Sequence, residues 1–211
     1  IGIADGDTLE LSNLQRQIAH QTKSVGRHKA DSAKETFEAL NPDVEVVIFK
    51  ERLTSENILD IIKDYDIVVD GSDNFPTRYL ANDACVLLKK PLSTGAVFRF
   101  DGQVTTIIPG EGPCYRCLFE LPPPPNLVPS CEQAGILGVL PGTIGLIQAT
   151  EVIKYLLGVG ELLKGYLLIY SALDMSFRKV KVPWNPKCPV CGEKPTITSL
   201  IDYEEFCQDG F

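Results

Sequence analysis

Cys114/Cys117 and Cys188/Cys191 form two C-x-x-C pairs, and a fifth cysteine, Cys131, stands alone between them. This spacing puts two thiolates on one tight turn, half of a tetrahedral zinc site, and two pairs supply all four ligands. The stretch between the pairs is far longer than in a zinc ribbon. A structural zinc that ties two distant loops together is therefore expected, with two redox pairs or four packed cysteines as the alternatives. Cys131 follows a proline-rich stretch and is a candidate nucleophile once deprotonated, against the plainer reading of a loop cysteine. Glu132 beside it does not favour ionisation. Cys85 lies on an apolar helix face and reads as core packing, and Cys207, in a polar tail, as an idle thiol.

Three polar groups could serve a phosphorylated ligand. Asp5 ends an apolar strand, where a carboxylate in a nucleotide-binding sheet can accept from ribose hydroxyls; a plain strand-ending turn, Asp5-Gly6-Asp7, explains it as well. Ser12-Asn13-Leu14-Gln15-Arg16-Gln17 follows, and then Lys29. Asn13 and Arg16, three apart, project to one side of a helical turn; Arg16 offers a planar fork of donors to phosphate and Lys29 a compact charge. The bland alternative is a solvated helix entrance. Asp73-Asn74 comes after a buried strand, at the end where such sheets bind ligands, and Asp73 could hold magnesium. Asp73 could equally cap the next helix, and Asp70 competes with it as the cation ligand. His20 and His28 have no metal or carboxylate cluster around them and read as surface or packing residues.

Alternating elements must position these groups. Ala30, Ala33, Phe37 and Leu40 recur at helical spacing until Asn41-Pro42; Val44 to Phe49 reads as a strand; Ser55 is a plausible cap for a helix through Ile62. Ile67 to Val69 is a second buried strand, followed by a helix from about Thr77 to Leu88. This alternation predicts an α/β fold, a Rossmann-like, mostly parallel sheet with helices on both faces. After Pro91 the pattern changes. Ala96 to Phe100 and Gln103 to Ile108 predict a hairpin around Asp101-Gly102. Leu121 to Pro129, with four consecutive prolines, predicts an extended crossover. Thr143 to Leu157 is the longest helix, capped by Gly158, and Tyr166 to Tyr170 and Phe177 to Val182 are late antiparallel strands. Residues 1–194 read as one domain and 195–211 as a tail or the start of a linker. Because Ile1 to Asp5 looks like the end of a buried strand, further N-terminal sequence is expected before it.

With 211 residues and 44 % apolar content the chain can bury a substantial core. A net charge of −8 argues against a duplex nucleic-acid partner and suits a basic protein partner. The longest apolar stretch, Leu140 to Leu157, is interrupted by Gly142, Gly145, Gln148, Glu151 and Lys154, so no membrane span is expected. Seven cysteines in a metal-like pattern favour a reducing, cytoplasmic location.

Asp5, Ser12-Asn-Leu-Gln-Arg16, Lys29, Ser72-Asp-Asn74, Cys114-Tyr-Arg-Cys117 and Cys188-Pro-Val-Cys191 occur in the order and approximate spacing of the MoeB/ThiF adenylyltransferases. The chain resembles that family along nearly its whole length. The proline run, Ser130-Cys131-Glu-Gln-Ala-Gly135 and the tail from Pro195 to Cys207 resemble the branch in which such a domain precedes a rhodanese domain. The resemblance implies ATP-dependent adenylylation of the C-terminal glycine of a small ubiquitin-like sulfur carrier (MoaD/ThiS-like, ending in Gly-Gly), within a homodimer. It implies that Arg16 and Lys29 hold the triphosphate, Asp73 holds magnesium, Asn13 and Asn74 orient the nucleotide with Ser12, Leu14 and Gln15 beside it, and Asp5 fixes the ribose. It also implies that Cys131 takes the acyl group, that the four paired cysteines hold zinc, and that a glycine-rich loop and a cross-dimer arginine lie upstream of Ile1. Two other readings compete: a nicotinamide-dependent dehydrogenase on a similar sheet, and a non-catalytic, zinc-stabilised protein-binding module.

Overall fold

A computed structural model describes residues 1–124 and 134–209, and the chain divides into two compact units, Ile1–Thr54 and Ser55–Phe211. In the first, β1 (Gly2–Ala4) pairs in parallel with β2 (Val47–Phe49). The crossover between them contains 3-10 turns at Leu11–Gln15 and Thr22–Ser24 and helix α1 (Lys29–Leu40). Asn41 ends α1 as expected, its amide reaching back to Phe37 O at 2.9 Å. Ala30 and Ala33 are the buried apolar positions of α1, whereas Leu40 is 84 % exposed.

The second unit contains α2 (Ile58–Ile62), β3 (Val68–Asp70), α3 (Phe75–Leu87), β4 (Leu92–Phe98), β5 (Asp101–Ile107), the short helix α4 (Tyr115–Leu118), α5 (Leu140–Leu157), β6 (Tyr166–Ser171), β7 (Ser176–Lys181) and α6 (Tyr203–Asp209). Its sheet runs β3-β4-β5-β6-β7, parallel only between β3 and β4. The α/β class is as expected, with parallel pairing confined to the front of the chain. There each strand pair is joined through a helix; behind Pro91 every further pairing is antiparallel, β4–β5 and β6–β7 through short turns and β5–β6 across the long stretch that carries α4 and α5.

The hairpin turn lies two residues before its expected place. Asp101 pairs with Phe98 and Gly102 with Val97, so the turn is Arg99-Phe100, with Arg99 at φ +52°. Gly102 instead lies in the strand under α5, where a Cβ would come within 2.4 Å of Ile144 Cδ1. The dipeptide signal was a packing requirement, not a turn. On this face Val104, Leu140, Ile144, Leu163 and Tyr170 form a buried cluster. Helix α5 ends at Gly158, left-handed at φ +64° as a helix terminus favours.

The region after Pro195 also departs from expectation. Read as a tail or the start of a linker, it forms α6, which packs on α3 and buries Tyr203 to 4 % exposure. Ser55 is not the N-cap of α2, which is Asn57; the Ser55 hydroxyl donates to Ile201 O, holding this returning segment. Tyr203 and Phe206 supply the apolar surface that its polar composition conceals. Most of the proline-rich crossover, including Cys131, lies outside the described residues.

Candidate functional site: two polar turns and a four-cysteine centre

In the first unit, Asp5 follows β1 and its amide donates to Phe49 O at 3.1 Å. Asp5 Oδ1 accepts from the Asp7 amide at 2.8 Å. Lys29, the first residue of α1, donates its backbone N–H to Asp7 O at 3.0 Å and its Nζ to Asp7 Oδ2 at 2.8 Å. One turn therefore gathers Asp5, Asp7 and Lys29 at the carboxyl end of a parallel strand. The Lys29 hydrogen bond holds the Asp7 carboxyl below its ordinary value, against the opposing effect of partial burial. Gly6 is obligatory there, because a Cβ would lie 2.8 Å from Arg52 N.

His20 borders this turn. Its Nδ1 is 3.0 Å from the buried Ser32 Oγ. Burial holds the imidazole below its ordinary value, with Asp5 drawing it up and Lys29 pushing it down. The packing role read from the sequence fits His20, whereas His28 is exposed before α1.

Ser12 to Arg16 makes its own compact turn. Arg16 Nη1 donates to Ser12 O at 3.2 Å, and the buried Asn13 accepts from the Glu10 amide at 3.0 Å through Oδ1. Ser12 and Gln15 are exposed and Leu14 is half-buried. Asn13 thus fastens the turn that presents Arg16.

In the second unit Asp70 and Asp73 stand in different surroundings. Asp70 is buried, with Oδ1 accepting from the Ser72 amide at 2.9 Å and Oδ2 from Thr94 Oγ1 at 2.8 Å. Asp73 is exposed, and no hydrogen bond or ion pair engages its carboxylate among the described residues. Nor does Asp73 cap α3. Asn74 does, accepting from the Thr77 amide at 2.9 Å through Oδ1, as a helix N-terminus requires. Gln148 on α5 secures the base of this turn, donating Nε2 to Asp70 O at 2.8 Å and to Ser93 O at 3.0 Å.

The four paired cysteines converge. Their sulfur atoms all lie within 4.8 Å of one another, with Cys114 Sγ 3.6 Å from Cys188 Sγ and Cys117 Sγ 3.4 Å from Cys191 Sγ. Zinc–sulfur bonds of about 2.3 Å in a tetrahedron set sulfur–sulfur edges of about 3.8 Å, so this donor set fits a closed metal site. The Cys188 turn requires Gly192, since a Cβ there would lie 2.5 Å from Cys188 O. Cys85 is fully buried, its thiol pushed up to about 12 by burial. Cys207 is half-buried on α6 and pushed up to about 11, also by burial.

Several buried polar residues escaped the sequence reading. Asn82 and Asp83 interrupt the apolar face of α3, and Gln148 and Glu151 lie three apart on α5; all four are buried. Glu151 accepts from Thr106 Oγ1 at 2.7 Å and from the Leu163 amide at 2.6 Å. A carboxylate within an otherwise apolar helix was the available signal, because such groups are buried only when paired.

The ThiF family model matches residues 1–190. The chain belongs to the ThiF family. It is 55 % identical over 212 residues to the sulfur carrier protein adenylyltransferase of Thermus thermophilus, covering 98 % of this chain and 78 % of that protein. It is 51 % identical to the SAMP-activating enzyme E1 of Haloferax volcanii, covering 97 % and 76 %. This ThiF-family chain is also 49 % identical to the adenylyltransferase and sulfurtransferase MOCS3 of Aedes aegypti, covering 98 % of itself and 48 % of that longer protein. Among solved structures, MccB of E. coli with ATP superposes with a TM-score of 0.78 at 19 % identity, covering 90 % of this chain and 59 % of that one; this likeness concerns the fold.

Proposed function

We propose that this ThiF-family chain carries out ATP-dependent adenylylation of the C-terminal glycine of a small ubiquitin-like sulfur-carrier protein. The observation that carries this reading is the 55 % identity, across 98 % of the chain, to a protein named for that activity. The exposed Asp73, the Lys29 turn and the Arg16 turn supply polar groups of the kinds the reaction demands.

In this reaction a terminal carboxylate oxygen of the carrier attacks the α-phosphorus of ATP. The bond from that phosphorus to the bridging oxygen breaks, and pyrophosphate leaves with the electron pair. Two anions must approach, so fixed positive charge governs the rate more than covalent chemistry does. Arg16 and Lys29 bind the triphosphate and stabilise the departing pyrophosphate, for which Lys29 exchanges Asp7 for phosphate oxygen. Asp5 orients the ribose, and Asn13 and Asn74 shape the turns that present Arg16 and Asp73. Asp73 would hold magnesium, which neutralises phosphate charge when bound. Cys131 accepts the acyl group from the adenylate, its thiolate displacing AMP. The Cys114, Cys117, Cys188 and Cys191 sulfurs would hold a structural zinc, which leaves no open position for chemistry. A homodimer in the cytoplasm completes the proposal.

ATP–pyrophosphate exchange by the full-length protein, with and without a carrier ending in Gly-Gly, tests this reading. Exchange that depends on the carrier is expected; carrier binding without exchange, or NAD binding in its place, overturns it.

A further inference from the structure

Arg116 lies between two metal-type ligands, yet its side chain is only 1 % exposed. Its guanidinium engages Asp83 on α3 through Nε to Oδ1 at 2.9 Å and Nη2 to Oδ2 at 2.8 Å, a bidentate pair. The same carboxylate accepts from Asn82 Nδ2 at 2.8 Å and from the Tyr203 hydroxyl at 2.8 Å. Asn82 returns the link, accepting from the Tyr115 amide at 2.8 Å. The guanidinium also lies 4.8 Å from the Tyr79 ring centre and 4.5 Å from that of Phe206. Thus α3, the Cys114–Cys117 turn and helix α6 (Tyr203–Asp209) meet in one buried network.

We infer that α6 is a clasp on the metal-ligating turn, with Tyr203 and Phe206 as positioning residues that hold Arg116 and thereby Cys114 and Cys117 in ligand geometry. This rests on the cysteine cluster and the buried network alone, and stands apart from the adenylylation reading. A buried charge pair holds one geometry only while its remaining lone pairs and ring faces are satisfied. Tyr203 donates to Asp83 Oδ2, the oxygen that also accepts from Arg116 Nη2, and the Phe206 ring lies against the Arg116 guanidinium. With α6 undocked, water reaches both groups and the turn loses its fixed orientation. Because coupling is reciprocal, whatever affinity α6 lends the metal, the metal lends to α6 docking.

Two measurements on the full-length protein test the clasp. In the first, zinc affinity is read by competition with a chromogenic chelator for wild type, Tyr203→Phe and Phe206→Ala. Tyr203→Phe keeps the ring and the fold while removing one hydrogen bond to a charged group, which should weaken zinc binding about tenfold. Phe206→Ala should weaken it at least as much. In the second, hydrogen exchange of residues 203–209 is followed in zinc-loaded and zinc-stripped protein, with β4 and β5 as internal reference. Loss of protection in α6 while β4 and β5 stay protected is expected. Wild-type zinc affinity in both variants, α6 protection that survives stripping, or equal loss of protection in α6, β4 and β5 would each overturn the coupling.

Discussion

Gly95 and Gln148 occupy a space with no room for another carbon: a Cβ on Gly95 would lie 2.6 Å from Gln148 Oε1. That fit lets α5 press on β4 while Gln148 Nε2 reaches Asp70 O at the carboxyl end of β3 and Ser93 O near the amino end of β4. Gln148→Leu leaves both carbonyls buried without that donor and should cost about 1–3 kcal/mol of unfolding free energy in urea. Gly95→Ala should destabilise as well, because the amide must shift. Unchanged urea midpoints in both variants would refute the role given to this pair.

The buried Arg116–Asp83 pair predicts an asymmetry. Arg116→Leu strands a carboxylate in the interior and should lose about 3–5 kcal/mol, whereas Arg116→Leu combined with Asp83→Leu should recover part of that loss. Chemical denaturation of the three proteins checks the ordering. A double variant less stable than Arg116→Leu alone contradicts it.

Trp184, the single tryptophan, donates Nε1 to Cys191 O at 3.1 Å, so its fluorescence reports on the metal turn. Chelation should shift its emission and lower Tm. Thiols must lose protons to bind metal, so zinc affinity should fall as pH falls. Emission and Tm indifferent to chelator would remove the metal from the account.

His20 predicts a pH dependence of stability. Burial holds its folded value below 6.5, so in the window just under 6.5 the unfolded chain binds the extra proton. Stability from this group is full above 6.5 and is lost as pH falls toward the folded value. Urea midpoints at pH 7.5 and 5.5 should fall for wild type by more than for His20→Gln. Equal falls would show that other groups set the slope.

For the reaction, Asp73→Ala should abolish carrier-dependent ATP–pyrophosphate exchange, and Lys29→Ala should reduce it at least a hundredfold (about 3 kcal/mol of lost transition-state stabilisation). Cys131→Ala should leave exchange intact and block only later acyl transfer. Loss of adenylate formation in folded Cys131→Ala protein would overturn that division of labour.

Where chemistry depended on residue type and local spacing, it could be read in advance. Two C-x-x-C turns each preset two thiolates, and the structure joins them as expected because each turn is locally determined. The helix at 29–40, the body of the long helix from Thr143 to Leu157 and the Gly158 cap were legible for the same reason, although the long helix begins three residues earlier, at Leu140. The hairpin register was not. Asp101-Gly102 carries a turn signal, but the space left by Ile144 on a distant helix decided that Gly102 sits in the strand.

The sequence by itself thus determined the α/β class, the family resemblance and the four-cysteine set, since periodicity, order and short-range spacing express them. Only tertiary structure decided that Asp70 is committed to Ser72 and Thr94 while Asp73 is exposed, and that Tyr203 returns to Asp83 across 120 positions. The reason is physical: whether a carboxylate meets water, a hydroxyl or a guanidinium depends on neighbours remote along the chain, which local pattern does not encode.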